Sequence, residues 1–349
     1  MSHKRLKILY GIQATGQGHF TRAKEIIPVL REYVDLKIMI SGPTDPRLLG
    51  HPIDFQKKGF GYVFGKRGGI DYIRSLPKLG FVQFVKDVLD FPIEEFDLVI
   101  NDFEPVSAWA AKRKKVPLVS LGHQWAVTAK GAPHLKQRWR PGNLLIKWLI
   151  PAALNYGFHY QAYNENIFTP IIKSSIRALS PQNDGHYLVY LPAYSPEIIQ
   201  EILSNFPEKD WYVFSKFNEK KSINGNVHLF PFGGTAFVES LANCEGFLCG
   251  AGFQATSEAL FLGKKLLTIP MKGQYEQSCN AYALEQMGIP FIPELSETHL
   301  PEIKDWIDNC APVVVDYKEN IRTIVEKILS DVQAKGLILS ETKKIPHSK

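Results

Sequence analysis

Apolar and polar positions fall along this chain in blocks that predict strands and helices in alternation. LKILYGI (6–12) is a short apolar run, followed by a glycine-rich loop, QATGQGHF. TRAKEIIPVLREY then repeats its apolar residues at helical spacing, and DLKIMISG (35–42) is again strand-like, giving strand, helix, strand. Pro28 lies inside the helical pattern and predicts a kink or an early turn, because proline lacks an amide and crowds the preceding turn. FDLVIND (96–102) and VPLVSLG (116–122) flank a helical SAWAAKRKK and repeat the unit.

The alternation restarts after a long middle. HYLVYLPAY (186–194) predicts a strand, and SPEIIQEIL a helix with Ser195 at the N-cap and Pro196 at its first position. WYVFSK (211–216) and NVHLFPF (226–232) are further strands. GFLCG, QATSEALFLG and KKLLTIP make strand, helix, strand, and QSCNAYALEQMG is a helix before PFIPEL. Two such runs predict an α/β protein with parallel sheets in two domains, residues 1–165 and 166–325, and a C-terminal helix and tail over 326–349. The bridge, roughly 135–180, carries NLLIKWLIPAALNYGFHYQAY. It predicts a helix at the domain junction, with contact to a membrane surface as the alternative. DYKENIRTIVEKILSDVQAKG predicts an amphipathic helix, and KKIPHSK a frayed tail.

Composition narrows the class. The chain has 349 residues, 45% of them hydrophobic, enough for two packed domains. No run of eighteen apolar residues predicts a membrane span, and the N-terminus shows no signal-peptide pattern. Cys244, Cys249, Cys279 and Cys310 are irregularly spaced without a CxxC, as for reduced thiols in a cytoplasmic protein. Residues 1–180 hold 26 Lys and Arg against 14 Asp and Glu, a net +12; residues 181–349 hold 15 against 21, a net −6. The halves therefore suit different partners, or are simply two soluble surfaces. The basic residues are scattered and carry no stacking-aromatic motif, which argues against nucleic acid.

The chemistry concentrates in GAGFQATSEALFLGKKLLTIP (250–270). Gly250 and Gly252 follow a strand directly, where ligands of open α/β sheets bind, and let the backbone approach closely. The helix predicted from about Phe253 offers unpaired amides suited to a phosphate. Glu258 lies one turn deeper, on the same face as Gln254, where a carboxylate can accept hydrogen bonds from a sugar diol. Together these predict a nucleotide-diphosphate site; the alternative is that Glu258 only complements the helix dipole. Glu276, Gln277 and Asn280 form a polar set at the next helix start, suited to hydroxyls.

These segments resemble the donor site of GT-B glycosyltransferases, in the order G-x-G-F-Q-x-x-S-E-A-L-x-L-G-K-x-L-L-x-I-P, then E-Q, N-A and L-E. The similar groups are family 28, which includes the N-acetylglucosaminyl transferase that makes lipid II, and the family 1 UDP-glycosyltransferases. The resemblance is strong over about 227–290 and weaker over 8–40 and 96–125. It implies the GT-B fold, two Rossmann-like domains facing across a cleft, with the acceptor on the first and the donor on the second. It also implies that Glu258 binds ribose, and that Gly250, Gly252, Phe253, Gln254 and Ala255 form the diphosphate loop. Glu276 and Gln277 would hold the donor sugar, and the loop at Phe230, Pro231 and Phe232 the base. Many family 1 members carry a phosphate-binding His where this chain has Gly250. Lys216 and Lys272 are the candidate replacements.

In the first loop, Gly16 and Gly18 echo a GxGxxG fingerprint, but Thr21 stands at the third position and no acid ends the second strand, so a nicotinamide site is disfavoured. The resemblance instead places Gly18 beside the donor and makes His19 the base that takes the acceptor's proton. Asp102 would orient it, with Glu104 as the alternative, and His123 would line the acceptor pocket. No D-x-D triplet occurs to hold a metal on the diphosphate, and the second Glu of retaining GT-B enzymes is here Gly250. The expectation is a metal-independent, inverting glycosyltransferase with no cofactor beyond its nucleotide-sugar substrate, most simply a UDP-sugar. The acceptor would be a sugar, a lipid-linked molecule or another small molecule. The positive first half, with Arg67, Arg113, Lys114 and Lys115, suits an anionic or lipid-anchored acceptor and peripheral contact at the inner membrane face of the cell envelope. A sugar-nucleotide 2-epimerase of the same fold and a non-catalytic nucleotide-sugar binder are the alternatives.

Overall fold

The computed structural model describes residues 5–59, 80–133 and 140–338. Arg67 and the KKIPHSK tail lie outside them. Two sheets carry the fold. The first joins β1 (Lys7–Gln13), β2 (Asp35–Ser41), β3 (Phe55–Lys57), β4 (Leu98–Asp102), β5 (Leu118–Leu121), β6 (Leu154–Phe158) and β7 (Ile167–Phe168). Its order is β3-β2-β1-β4-β5-β6-β7, and every pairing is parallel. The second joins β8 (Tyr187–Tyr190), β9 (Trp211–Ser215), β10 (Ser222–Asn224), β11 (Val227–Pro231), β12 (Gly246–Gly250) and β13 (Lys265–Ile269) in the order β10-β11-β9-β8-β12-β13. Only the short edge strand β10 runs antiparallel.

Both orders reverse in the middle, at β1/β4 and at β8/β12. Connections leave for opposite faces at such a point, and a crevice opens at the carboxyl ends of the strands. His19 follows β1 and Asp102 ends β4; Gly250 ends β12, and Leu191–Tyr194 follow β8. The central strands are near-continuous apolar runs, as strands covered on both faces must be. Ile8, Leu9, Tyr10 and Ile12 are fully buried.

Pro28 does not interrupt its helix, which runs unbroken over Gln17–Tyr33. The carbonyl of Lys24, which loses its helical donor to the proline, faces His51 Nε2 at 3.4 Å instead. Ser195 does occupy an N-cap, ahead of Pro196 and the Pro196–Leu203 helix, but its side chain makes no cap bond. The bridge departs from the expected single helix. A helix over Arg140–Leu149 stops before Pro151, and the aromatic run beyond it enters the sheet as β6 and β7. β7 thus pairs two residues past the boundary expected at 165. The Ile321–Ala334 helix buries Ile321, Ile324, Val325, Ile328, Leu329 and Val332 on one face. It returns to the first domain, where Tyr33 Oη donates to Glu326 at 2.6 Å, Tyr156 Oη donates to Asp331 at 2.6 Å, and Arg322 pairs with Glu32 at 2.8 Å. Among the described residues, no disulfide joins the four cysteines and no helix is long and apolar enough to cross a membrane.

Candidate active site

The Gln17–Tyr33 helix begins at Gly16, so His19 and Arg22 share one face, a turn apart, over the end of β4. His19 Nδ1 lies 2.9 Å from Asp102 Oδ1. Arg22 grips the same carboxylate, with Nε 3.2 Å from Oδ2 and Nη2 2.9 Å from each oxygen. Asp102 is fully buried and Arg22 3% exposed. Burial would raise the Asp102 carboxyl, but the Arg22 guanidinium and His19 outweigh it and hold it below the ordinary carboxylate range. Arg22 Nη2 also stands 3.1 Å from His19 Nδ1, but its two hydrogens go to the Asp102 oxygens. An ionised carboxylate only accepts, so neutral His19 carries its proton on Nδ1 and presents a lone pair at Nε2.

Glu104 is committed elsewhere. It caps the Pro105–Lys114 helix, accepting from Val106 N at 2.8 Å, Ser107 N at 2.6 Å and Ser41 Oγ at 2.6 Å. Burial raises its carboxyl, and those bonds offset the rise only in part.

On the second domain, the Phe253–Phe261 helix starts at Gly252. It faces the first loop so closely that a β-carbon on Gly18 would stand 3.7 Å from Gln254 Cβ. Neither this helix nor Gln17–Tyr33 carries an acid in its first turn. Glu258 is 4% exposed; Gln254 Nε2 donates to its Oε1 at 2.8 Å, and Lys173 Nζ is 3.2 Å from its Oε2. Burial raises the Glu258 carboxyl, with Lys173 and Gln254 opposing the rise. Ala255 packs half-buried against the core. Phe232 stacks on Tyr190 at 4.4 Å, a flat aromatic surface at the end of β11. Gly250 and Gln277 line a small cleft with Pro192, Tyr194 and Lys272; Gln277 Oε1 accepts from Met271 N at 2.9 Å. Of the candidate phosphate cations, Lys272 pairs with Glu294 and Lys216 lies over the Phe217 ring.

The two domains meet through side chains. Gln124 Nε2 donates to Glu276 Oε2 at 3.0 Å and stands 3.4 Å from His19 Nε2. Tyr160 Oη bonds Thr256 Oγ1 at 2.7 Å. His123 does not line the cavity beside the site. It is buried, stacked 3.7 Å over Phe253, and its Nε2 meets Asn280 Oδ1 at 2.8 Å. Burial lowers the His123 imidazole, partly offset by Glu276. Asn280 is fully buried and also donates to Ala251 O at 3.0 Å, so it ties the domains together. The cavity beside the site, about 340 Å³, is lined instead by Phe103, Ser120, Gln124, Trp125, Lys147 and Asn155 among others. Among the described residues no cluster of three or more His, Cys, Asp or Glu forms a metal-holding group.

A sequence model of glycosyl transferase family 1 matches residues 6–311, both sheets and the whole cleft. The chain belongs to glycosyl transferase family 1. As a family member it is a glycosyltransferase of the GT-B fold. Solved structures similar to it include Acinetobacter baumannii MurG, at 12% identity and TM-score 0.57, covering 94% of this chain and 99% of that one. Arabidopsis thaliana UGT89C1 complexed with quercetin matches at 10% identity and TM-score 0.59, covering 95% and 94%. A putative UDP-N-acetylglucosamine 2-epimerase from Listeria monocytogenes matches at 10% and 0.52, covering 98% and 100%. At these identities the likeness is one of fold. No curated protein sequence matches.

Arg22, Gln124 and Lys173 escaped the sequence reading, although His19-x-x-Arg22 at the head of a helix is a same-face signal. Gly122 adds a constraint: a β-carbon there would sit 2.6 Å from Asp102 Oδ1. Because Arg22 fixes Asp102, Gly122→Ala should displace His19 and lower transfer by about 100-fold, as misplacements near 1 Å do. Kinetics beside a circular-dichroism melt check this; wild-type turnover in the variant would show that the pair tolerates displacement.

Proposed function

We propose that this glycosyltransferase moves a sugar from a UDP-sugar to an acceptor hydroxyl, with inversion and without a metal ion. The observation that carries the proposal is the meeting of the His19–Asp102 pair with the glycine-bounded start of the Phe253–Phe261 helix across one cleft. Each helix start holds unpaired amides and partial positive charge. Two such starts in contact, without an acid in either first turn, favour an anion between them. A diphosphate fits that place, its ribose on Glu258 and its base against the Tyr190–Phe232 stack. Ribose hydroxyls would take the place of the Gln254 amide on Oε1 while Lys173 keeps Oε2. Lys173, rather than Lys216 or Lys272, is then the cation nearest the donor.

The donor sugar would lie against Glu276 and the acceptor in the cavity lined by Gln124 and Trp125. The acceptor oxygen attacks the anomeric carbon and His19 Nε2 takes its proton. The bond from that carbon to the diphosphate oxygen breaks, and UDP leaves with the electron pair onto the helix amides. A single displacement of this kind inverts the anomeric centre.

A thermal-shift screen of UDP, ADP, GDP and dTDP and their sugars tests the donor class. A ligand at about 100 times its Kd adds about 2.7 kcal/mol of stability, and only the uridine series should do so. Incubation with UDP-N-acetylglucosamine alone separates the epimerase alternative, which would yield the 2-epimer. Glu258→Ala should weaken UDP binding by roughly 1–3 kcal/mol, the worth of hydrogen bonds to a charged group; equal calorimetric affinity would remove the ribose assignment.

An acceptor presented at an anionic membrane face also fits. Leu144 and Trp148 are exposed on the Arg140–Leu149 helix, whose Ile146 and Lys147 line the acceptor cavity. Trp148 lies 5.2 Å from Trp109, on the helix that ends in Lys112, Arg113 and Lys114. Co-sedimentation with phosphatidylglycerol vesicles tests this contact, and a protein that stays in the supernatant at low salt counts against it.

A further inference from the structure

We propose that Gln124 is a positioning residue that couples donor occupancy to exposure of the base: its amide covers His19 Nε2, and a donor sugar on Glu276 releases it. The inference rests on the reading of His19 as base and Glu276 as sugar ligand, and extends it to a residue neither requires.

The lone pair at His19 Nε2 follows from the Asp102 contact at Nδ1. Only a donor sits well against it, and Gln124 Nε2 is 3.4 Å away. The other hydrogen of that amide goes to Glu276 Oε2 at 3.0 Å. The reverse amide orientation would set Gln124 Oε1 against both the carboxylate and the lone pair, so the network fixes the orientation. In that orientation Oε1 is buried without a hydrogen-bond partner. With that carbonyl unpaired, the polar contacts that hold the side chain are those of its amide nitrogen.

Gln124 therefore stands between three things: the base, the carboxylate on the donor domain, and the 340 Å³ cavity whose wall it forms. Sugar hydroxyls are donors that compete for Glu276. Once they take Oε2, the amide keeps only its long contact to His19, and its carbonyl gains by turning to a donor in the cavity. The base then faces the acceptor side with a donor already in place. UDP without a sugar has no group for Glu276 and leaves the cover closed. Donor before acceptor is the order this imposes.

The test has two arms, both on the full chain. In the first, ligand-free wild type, Gln124→Ala and Gln124→Met react with diethyl pyrocarbonate, which acylates an unprotonated imidazole nitrogen, and His19 modification is followed by peptide mass. Methionine keeps the packing volume and lacks the N–H donors, so both variants should react about tenfold faster at His19, the worth of one hydrogen bond of about 1.4 kcal/mol. His51 serves as the internal control. In the second arm, the Gln124 side-chain amide resonance, assigned by its loss in Gln124→Met, is followed on adding UDP, UDP-glucose, UDP-galactose or UDP-N-acetylglucosamine. A UDP-sugar that raises the melting temperature should move the resonance, and UDP alone should not. Unchanged His19 reactivity in both variants, or a bound UDP-sugar that leaves the amide unmoved, overturns the coupling. Failure of every UDP compound to bind counts against the donor site itself, and the first arm still decides whether Gln124 covers His19.

Discussion

His19→Ala is expected to lower sugar transfer by roughly 10²–10⁴-fold, the usual range for removing a general base, while UDP still binds. The imidazole is aligned through Nδ1. Asp102 takes Nδ1, Arg22 anchors Asp102, and Nε2 is the atom left to accept a proton. His123 cannot stand in, since it is engaged at both nitrogens, by Phe158 O at 2.7 Å and Asn280 at 2.8 Å. The donor contacts proposed for the Phe253–Phe261 helix and Glu258 belong to the other domain, so nucleotide affinity should change by only a few-fold. Steady-state rates beside calorimetry with UDP separate the two effects. Wild-type transfer in the variant would remove His19 from the base role.

Asp102→Ala should destabilise the fold by about 3–5 kcal/mol, because it leaves a buried guanidinium without its counter-charge. Arg22 is 3% exposed, and its Nε and Nη2 make three bonds to the Asp102 carboxylate. The double variant Asp102→Ala/Arg22→Met should regain much of that stability without regaining activity, since the apolar replacement removes the stranded charge but not the need to orient His19. Urea denaturation of the single and double variants measures this. Full stability in the single variant would mean that Arg22 finds water or another partner. The same pair sets an acid limb. The Asp102 carboxyl is held below its ordinary value by Arg22 and His19 against burial. Its contribution is therefore fully present above the unfolded value near 3.9 and is lost as pH falls through the lower folded value.

The strand-helix alternation was legible because the central strands are buried on both faces and read as apolar runs such as KILYGIQ and GFLCG. The glycine turns were legible because Gly250 and Gly252 stand where a strand hands over to a helix. The bridge was misread because aromatic and apolar residues serve helix and strand alike. Only Pro151 marks the change, and the sheet partner that makes LNYGF a strand is β5, which no local pattern reveals. Asp102 was legible as an acid ending a strand. Gln124 and Lys173 were not, since their partners Glu276 and Glu258 lie far along the chain and are brought close only by tertiary packing. His123 was singled out because it closes a strand and Asn280 because it lies near a helix start. That position does not distinguish a ligand-facing side chain from one that clasps the domains.

The central claim is that two helix starts hold a pyrophosphate between Gly18 and Gly252 with its pentose on Glu258. A crystal structure of the protein saturated with UDP tests it most directly. The account predicts phosphate oxygens about 3 Å from the amides of Phe253, Gln254 and Ala255, and both ribose hydroxyls on the Glu258 carboxylate. UDP bound elsewhere, with Gln254 and Lys173 still closed over Glu258, would contradict it.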